Sequence, residues 1–98
     1  MDTIKTLEID YDPAKNEANI RLRGLPFSLV GDEFEWASAW VVEDTRRDYG
    51  ERRFRAFGYI GARLHAVVYT LRAGAMHVIS LRRVNRREER RYAAQAKP

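Results

Sequence analysis

The segment RLHAVVYTLRAGAMHVISLRR, residues 63–83, decides the fold of this 98-residue chain. Its opening run, RLHAVVYTLR, is rich in β-branched and aromatic side chains, which favour extended backbone. Ala73-Gly74 makes a tight turn into a second strand-like run, AMHVISLRR. Two strands joined by so short a connection pair in antiparallel fashion. The segment therefore predicts a central β-hairpin over roughly residues 62–83.

Upstream of the hairpin, the sequence predicts a strand followed by a helix. The stretch TLEIDY, residues 6–11, alternates apolar and polar side chains as a half-buried strand does. A helix is expected from Pro13 to about Arg23, because Asp12 can cap the free amides at its start and Gly24 suits its end. The apolar side of this helix would consist of Ala14, Ala18 and Leu22.

The remaining segments complete an α+β architecture. Ser28 would cap a short second helix, and AWVVED (residues 39–44) and RFRAFGYI (residues 53–60) are typical of strands joined by a polar turn. With a last helix after the hairpin, the predicted order is β-α-α-β-β-β-β-α. We expect one domain over residues 1–98, with the helices packed on one face of an antiparallel sheet.

The last helix is predicted from Arg86 to about Ala96, because Asn85 and Glu88 have the spacing of a capping box. Its arginines at spacings of three and four form a fan of long cations that Glu88 and Glu89 partly neutralise. A solvated helix surface and phosphate contact both explain such a fan.

Composition and charge narrow the function classes. The chain has no cysteine, which excludes disulfides and thiol catalysis and suits a reducing compartment. Residues 1–10 lack the apolar stretch of a signal peptide, so a cytoplasmic protein without membrane contact is expected. Residues 1–49 carry a net charge of −5 and residues 50–98 a net charge of +9. This asymmetry predicts that the second half meets a polyanion, either a nucleic acid or an acidic protein.

The predicted hairpin register brings polar groups together. A two-residue loop at Ala73-Gly74 would place His65 opposite Arg82 and Tyr69 opposite Val78. One face would then carry His65, Tyr69, Ser80 and Arg82. An imidazole beside an arginine suits proton transfer at a phosphodiester, although a partly buried polar histidine is the favoured interpretation of His65.

Two further positions have competing interpretations. Arg82 and Arg83 end a strand, where a ladder would hold their guanidinium groups for bidentate phosphate contacts; a structural ion pair is the alternative. Glu51 in DYGERR, residues 48–53, could act as a base, whereas Asp48 and Gly50 are more typical of a turn tied by its own hydrogen bonds. His77 would face Thr70 on the other side of the hairpin, so the two histidines predict no metal site.

Four stretches together resemble the BrnT toxins of type II toxin–antitoxin systems. They are DYDPAKNEANIRLRG (10–24), DYGERRFRAFG (48–58), VVYTLR (67–72) and ISLRRVNRREERRY (79–92). The resemblance implies a RelE-like fold, RNA cleavage that arrests growth, and neutralisation by a BrnA-like ribbon-helix-helix antitoxin. DNA contact would come only through the antitoxin complex.

The resemblance also assigns positions. Asp12, Pro13, Lys15 and Asn19 fall on the family's opening helix, and Asn85 falls on its usual Ser/Thr cap. Tyr69 and Arg72 match its YT-x-R strand end, and Arg82 its strand arginine. The chain departs from the family pattern at Arg23, usually histidine, at Leu71, often glutamate, and at His65, usually apolar.

The sequence therefore predicts a metal-independent endoribonuclease that needs no cofactor. The 2′-hydroxyl of the RNA would attack the adjacent phosphate while arginines stabilise the developing charge. Charge stabilisation is assigned to Arg82, Arg72 and Arg83, with Tyr69 or Glu51 handling protons. RNA positioning is assigned to Arg53, Arg86, Arg87 and Arg90. The alternatives are a non-catalytic nucleic-acid or ribosome-binding module, and a basic face made to bind an acidic partner protein.

Overall fold

The computed structural model describes residues 8–96, so Thr6 and Leu7 of the predicted first strand lie outside the described residues. The elements in chain order are strand β1 (Ile9–Tyr11), helix α1 (Pro13–Arg23), helix α2 (Leu29–Asp32), a 3-10 turn (Trp36–Ser38), strands β2 (Trp40–Glu43), β3 (Phe54–Ile60), β4 (Arg63–Arg72) and β5 (Ala75–Arg83), and helix α3 (Arg86–Ala96). The α+β class is confirmed.

The sheet is mixed, and the prediction of a purely antiparallel sheet was wrong. Its five strands are ordered β1-β5-β4-β3-β2. β2 to β5 pair in antiparallel fashion, whereas β1 runs parallel to β5, with Asp10 opposite His77. Short turns dictate antiparallel pairing only for strands they join directly. β1 meets β5 after most of the chain has intervened, and such a long connection permits either direction.

The β4–β5 hairpin has the predicted turn but only half of the predicted register. Ala73 and Gly74 both adopt positive φ, 50° and 80°, as the two central residues of a type I′ hairpin turn do. Tyr69 lies opposite Val78 as expected, but a β-bulge beyond that pair shifts the register by one residue. The prediction that His65 lies opposite Arg82 was therefore wrong: His65 faces Arg83, and Arg82 faces Ala66.

Both faces of the sheet bury apolar residues. On β3, Ala56 belongs to a cluster with Phe27 and Val30 of the α1–α2 region, whereas Phe57 belongs to a second cluster with Tyr92 of α3. Because successive side chains of a strand point to opposite faces, the two clusters lie on opposite sides of the sheet. We call the side with α1 and α2 the first face and the side with α3 the second face. The prediction that all helices share one face was wrong.

Helix α1 has the predicted ends and an unexpected inner side. The Asp12 carboxylate accepts from the Ala14 amide at 2.8 Å, and Gly24 ends the helix with φ of 70°. Leu22, however, is 80% exposed, so the predicted apolar side was wrong. Asn19 is buried instead and donates to the carbonyls of Leu25 and Leu81, at 2.8 and 3.0 Å. Polar contacts with the backbone, rather than apolar packing, therefore attach this helix to the sheet.

Helix α3 starts with the predicted capping box. Asn85 Oδ1 accepts from the Glu88 amide at 3.0 Å, and a Glu88 carboxylate oxygen accepts from the Asn85 amide at 3.1 Å. Tyr92 anchors the helix on the second face, where its ring meets Tyr59 edge-on and its hydroxyl donates to the Ser38 carbonyl at 3.0 Å. At the short helix α2, the Ser28 side chain makes no capping hydrogen bond, so that detail of the prediction was wrong.

Candidate active site

The second face of the sheet divides into an apolar half and a polar half. The apolar half is the cluster under α3, which includes Phe57, Leu64, Ala66 and Tyr92. Towards the β4–β5 turn the same face becomes polar, because alternation along each strand and the pairing between strands bring polar side chains into adjacent rows. We call this region the polar half-face; it consists of Asp10, Arg55, Thr70, Arg72, His77 and Ser80.

Arg82 lies at the apolar end of the second face and is held by helix α3. Its guanidinium donates to both carboxylate oxygens of Glu88, at 2.7 and 2.5 Å. These hydrogen bonds lower the pKa of Glu88 and raise the pKa of Arg82. Glu88 also caps α3, so one carboxylate joins the strand end to the helix start. Glu88 therefore occupies N–H groups of both terminal nitrogens of Arg82, the donors that a bidentate phosphate would need.

Arg72 lies at the opposite end, where a second ion pair marks the margin of the polar half-face. Glu51 accepts from Arg72 at 3.1–3.4 Å and from Arg53 at 3.5 Å. The Arg72 side chain is 50% exposed, so solvent screens this pair. A phosphate would therefore displace Glu51 from Arg72 more easily than it would displace Glu88 from Arg82.

Arg55 is the arginine of the polar half-face with the fewest partners. It lies between Val42 and Val68 in the sheet, its guanidinium is 5.9 Å from the centre of the Phe57 ring, and its Nε is buried. Within residues 8–96, no acceptor binds that Nε and no carboxylate forms an ion pair with Arg55. The Nε of Arg53 is buried without an acceptor in the same way, but Arg53 is bound to Glu51, so Arg55 is distinguished by having no carboxylate on its guanidinium. Sequence reasoning missed Arg55, since nothing in the sequence distinguishes it from its paired neighbours.

The loop between β2 and β3 is tied by its own hydrogen bonds. Asp44 is buried and accepts from Arg46 at 2.7 and 2.8 Å and from the Tyr49 hydroxyl at 3.1 Å. These contacts, the Arg46 side chain foremost, hold the pKa of Asp44 well below its ordinary value. Asp48 accepts from the Gly50 amide at 3.0 Å, which confirms the predicted turn.

Tyr69 and Arg83 are not brought to Arg82. Tyr69 is buried in the first cluster, with its ring stacked on Phe54 at 5.5 Å, and burial raises its pKa. Arg83 follows Arg82 along β5 and therefore points to the first face, where it donates to the Arg23 carbonyl at 3.2 Å. The predicted catalytic set is thus divided between two faces: Arg82, Arg72 and Glu51 are associated with the second, whereas Tyr69 and Arg83 belong to the first.

The two histidines differ in environment. His65 is buried, its Nδ1 lies 2.8 Å from the Arg63 carbonyl, and burial lowers its pKa. It is the buried polar residue that the sequence favoured. His77 faces Thr70 as predicted, but its Nδ1 also lies 2.5 Å from a carboxylate oxygen of Asp10. The sequence could not reveal this contact, because it depends on the parallel pairing of β1 with β5.

The predicted RNA-positioning arginines are in two different settings. Arg86, Arg87 and Arg90 are exposed on α3 and have no ion pair within residues 8–96. Arg53 is instead three-quarters covered, with its guanidinium 4.2 Å from the centre of the Tyr49 ring. The α3 arginines are therefore accessible to a polyanion, whereas Arg53 mainly orders the margin of the polar half-face.

The remaining observations concern metals, membranes and relatives. Among residues 8–96, no cluster of three or more His, Cys, Asp or Glu side chains is arranged to hold a metal ion. No described helix has the length and apolar character needed to cross a membrane.

Residues 11–88 match the model of a family described as "Ribonuclease toxin, BrnT, of type II toxin-antitoxin system". No curated protein matches the sequence.

Proposed function

This chain belongs to the BrnT family of ribonuclease toxins of type II toxin–antitoxin systems, and we propose that it cleaves RNA on the polar half-face without a metal ion. Family membership implies an RNA substrate and an antitoxin partner. The site, the reaction mechanism and the class of antitoxin are our proposals.

Arg55 carries the proposal for the site. Within residues 8–96 no carboxylate pairs with its guanidinium, so its terminal N–H groups are available to an oxyanion. Arg72 lies on the same face and is bound only by an exposed, screened ion pair. Arg72 lies four residues along β4 from Val68, the partner of Arg55, so the two cations would contact non-bridging oxygens of different phosphates of one RNA strand, one of which the adjacent 2′-hydroxyl attacks. Donors held in place before the reaction stabilise the charge that develops on those oxygens.

Arg82 has a supporting role in this proposal. Its bidentate pair with Glu88 is shorter and more buried than the pair between Arg72 and Glu51. Removing Arg82 from that pair would leave Glu88 partly buried without its cation. We therefore assign Arg82 to holding α3 against the sheet, and Arg86, Arg87 and Arg90 of that helix to contacts with flanking phosphates.

For the antitoxin, we propose a ribbon-helix-helix protein that covers the basic second half of the chain. Residues 50–98 carry a net charge of +9, so a silencing partner gains most from acidic side chains placed over the arginines. Binding of the antitoxin should weaken as salt rises. Equal affinity at low and high ionic strength would place the interface on apolar surface instead.

Incubation of the pure protein with a labelled single-stranded RNA in the presence of a chelator tests the proposed activity. Cleavage with chelator present, and none of the same strand made with 2′-O-methyl nucleotides, is the expected result. RNA binding without cleavage would instead support a non-catalytic RNA-binding module. That second candidate is favoured by one observation: Arg46, Arg52, Arg53, Arg72 and Arg82 already form ion pairs with carboxylates.

A further inference from the structure

We propose that His77 is the general base of RNA cleavage and that Asp10 orients it. This inference rests on the proposed function and names a residue that the resemblance does not assign. It supplies a proton acceptor to a site otherwise composed of arginines and hydroxyls.

The contact between Asp10 and His77 fixes the orientation of the imidazole. β1 and β5 are paired so that Asp10 lies directly opposite His77, and the Asp10 carboxylate is 2.5 Å from Nδ1. A carboxylate accepts only from a protonated ring nitrogen, so this contact assigns the proton of neutral His77 to Nδ1. Nε2 then carries the lone pair. No residue in the range 8–96 forms a hydrogen bond with Nε2, and the side chain remains 18% exposed.

His77 lies beside the cation that the proposed reaction requires. Thr70 is directly opposite His77 in the β4–β5 ladder, and Arg72 is two residues further along β4 on the same face. Diagonal neighbours of this kind have their Cα atoms about 7–8 Å apart, within reach of long side chains. We place one ribose-phosphate unit between the two groups. His77 Nε2 would face its 2′-hydroxyl, and Arg72 would face its non-bridging oxygens.

The charged groups around His77 favour this role. Asp10 faces it from β1 and Thr70 from β4, while Arg72, two residues beyond Thr70, has its charge partly neutralised by Glu51 from the loop. His65 offers no comparable group, because it is 3% exposed and lies on the first face. His77 is therefore the histidine that is accessible to solvent, and its contact with Asp10 through Nδ1 leaves Nε2 on the opposite side of the ring.

The proposed step balances as a transesterification. The proton of the 2′-hydroxyl moves to His77 Nε2 as the 2′-oxygen forms a bond to phosphorus. The bond between phosphorus and the 5′-oxygen breaks, and that oxygen takes a proton from water. The products are a 2′,3′-cyclic phosphate and a 5′-hydroxyl end. The imidazolium then returns its proton to solvent.

The test compares the full-length parent with His77→Asn, His77→Gln and Asp10→Asn in cleavage of one labelled RNA. The control is Glu8→Gln, which removes a carboxylate just before the same strand; Glu8 is exposed and its side chain forms no ion pair within residues 8–96. Loss of a general base typically lowers turnover about 10²–10⁴-fold. We expect that loss in both His77 variants, a smaller loss in Asp10→Asn, and parental turnover in Glu8→Gln, with unchanged RNA affinity and melting temperature.

The pH profile separates catalysis from a structural role. In the parent, turnover should fall towards acidic pH as the base becomes protonated, and that acidic limb should be absent in the His77 variants. A parent that cleaves to the cyclic phosphate while both His77 variants keep its rate and profile would overturn this inference and leave the proposed function intact. A parent that binds RNA without cleaving it would overturn both. If the asparagine variant is unfolded, the glutamine and Asp10→Asn variants decide.

Discussion

The two ends of the second sheet face place arginines in opposite situations. At the α3 end, Arg82 is bound to both carboxylate oxygens of Glu88 at 2.5–2.7 Å. Arg55 lies against Phe57, close enough to Glu88 to contribute, after Arg82, to lowering the pKa of that carboxyl, yet it forms no ion pair within residues 8–96. At the other end, Arg72 is bound by Glu51, and half of the Arg72 side chain is exposed. The comparison teaches that an arginine completely satisfied within the protein stabilises the fold, whereas one left short of acceptors is prepared for a ligand.

A conservative change at Arg72 should have the largest effect on RNA cleavage. Arg72→Lys keeps the charge but loses the planar fork, so we expect turnover to fall about 100-fold or more while RNA affinity changes little. The measurement is single-turnover cleavage at saturating protein. Arg52→Lys is a suitable control because Arg52 also forms an exposed ion pair, with Glu43, on the far edge of the sheet. Equal losses in both variants would contradict a specific role for Arg72.

A change at the ion pair between Arg82 and Glu88 should affect the stability of the fold instead of turnover. Glu88→Gln removes the charge that binds Arg82, so we expect a loss of about 1–3 kcal/mol in the free energy of unfolding at pH 7. Arg82 and the cap lower the pKa of Glu88 from its ordinary value of 4.5. The contribution of Glu88 to the free energy of unfolding is therefore fully present at pH values above 4.5. It is lost as pH falls through the lowered value.

Urea titrations at pH 7 and at progressively lower pH measure this contribution. The gap in stability between the parent and Glu88→Gln should close as the solution becomes acidic, because the parent loses the ion pair too. Turnover per folded molecule should stay near the parental value. A variant that is fully stable but inactive would place the chemistry beside Glu88.

The sequence predicted local features well and missed those that depend on distant parts of the chain. The ends of α1, the capping box of α3 and the Ala73-Gly74 turn each depend on a few adjacent residues. The bulge beyond Tyr69 leaves no such pattern, and it moved Arg82 out of register with His65. The parallel pairing of β1 could not be deduced either, so the contact between Asp10 and His77 was missed.

The candidate site was predicted in residue type more than in arrangement. An excess of arginine in the second half of the chain indicated an anion-binding surface. Which arginines lack internal partners depends on where each carboxylate packs, and Glu51 and Glu88 settle this differently for Arg72 and Arg82. The alternation of apolar and polar residues along a strand indicates which face is buried. It does not indicate which charged side chains of different elements form ion pairs.

The smallest expected effect concerns the outer side of α3. Arg90 is exposed and has no ion pair within residues 8–96, so Arg90→Gln should weaken RNA binding slightly. The slope of log affinity against log salt should decrease by about one if Arg90 contacts one phosphate. Fluorescence titration over a range of salt concentrations measures both quantities. An unchanged slope would mean that Arg90 belongs to a solvated surface only.

The most direct measurement of the difference between an unpaired and an ion-paired arginine combines Arg55→Lys with Arg82→Lys. Each variant is assayed for RNA cleavage and for thermal melting, with turnover expressed per folded molecule. We predict that Arg55→Lys melts like the parent and loses most of its turnover, whereas Arg82→Lys melts at a lower temperature and keeps its turnover. Full activity in Arg55→Lys together with an inactive but stable Arg82→Lys would contradict the account and place catalysis at Arg82.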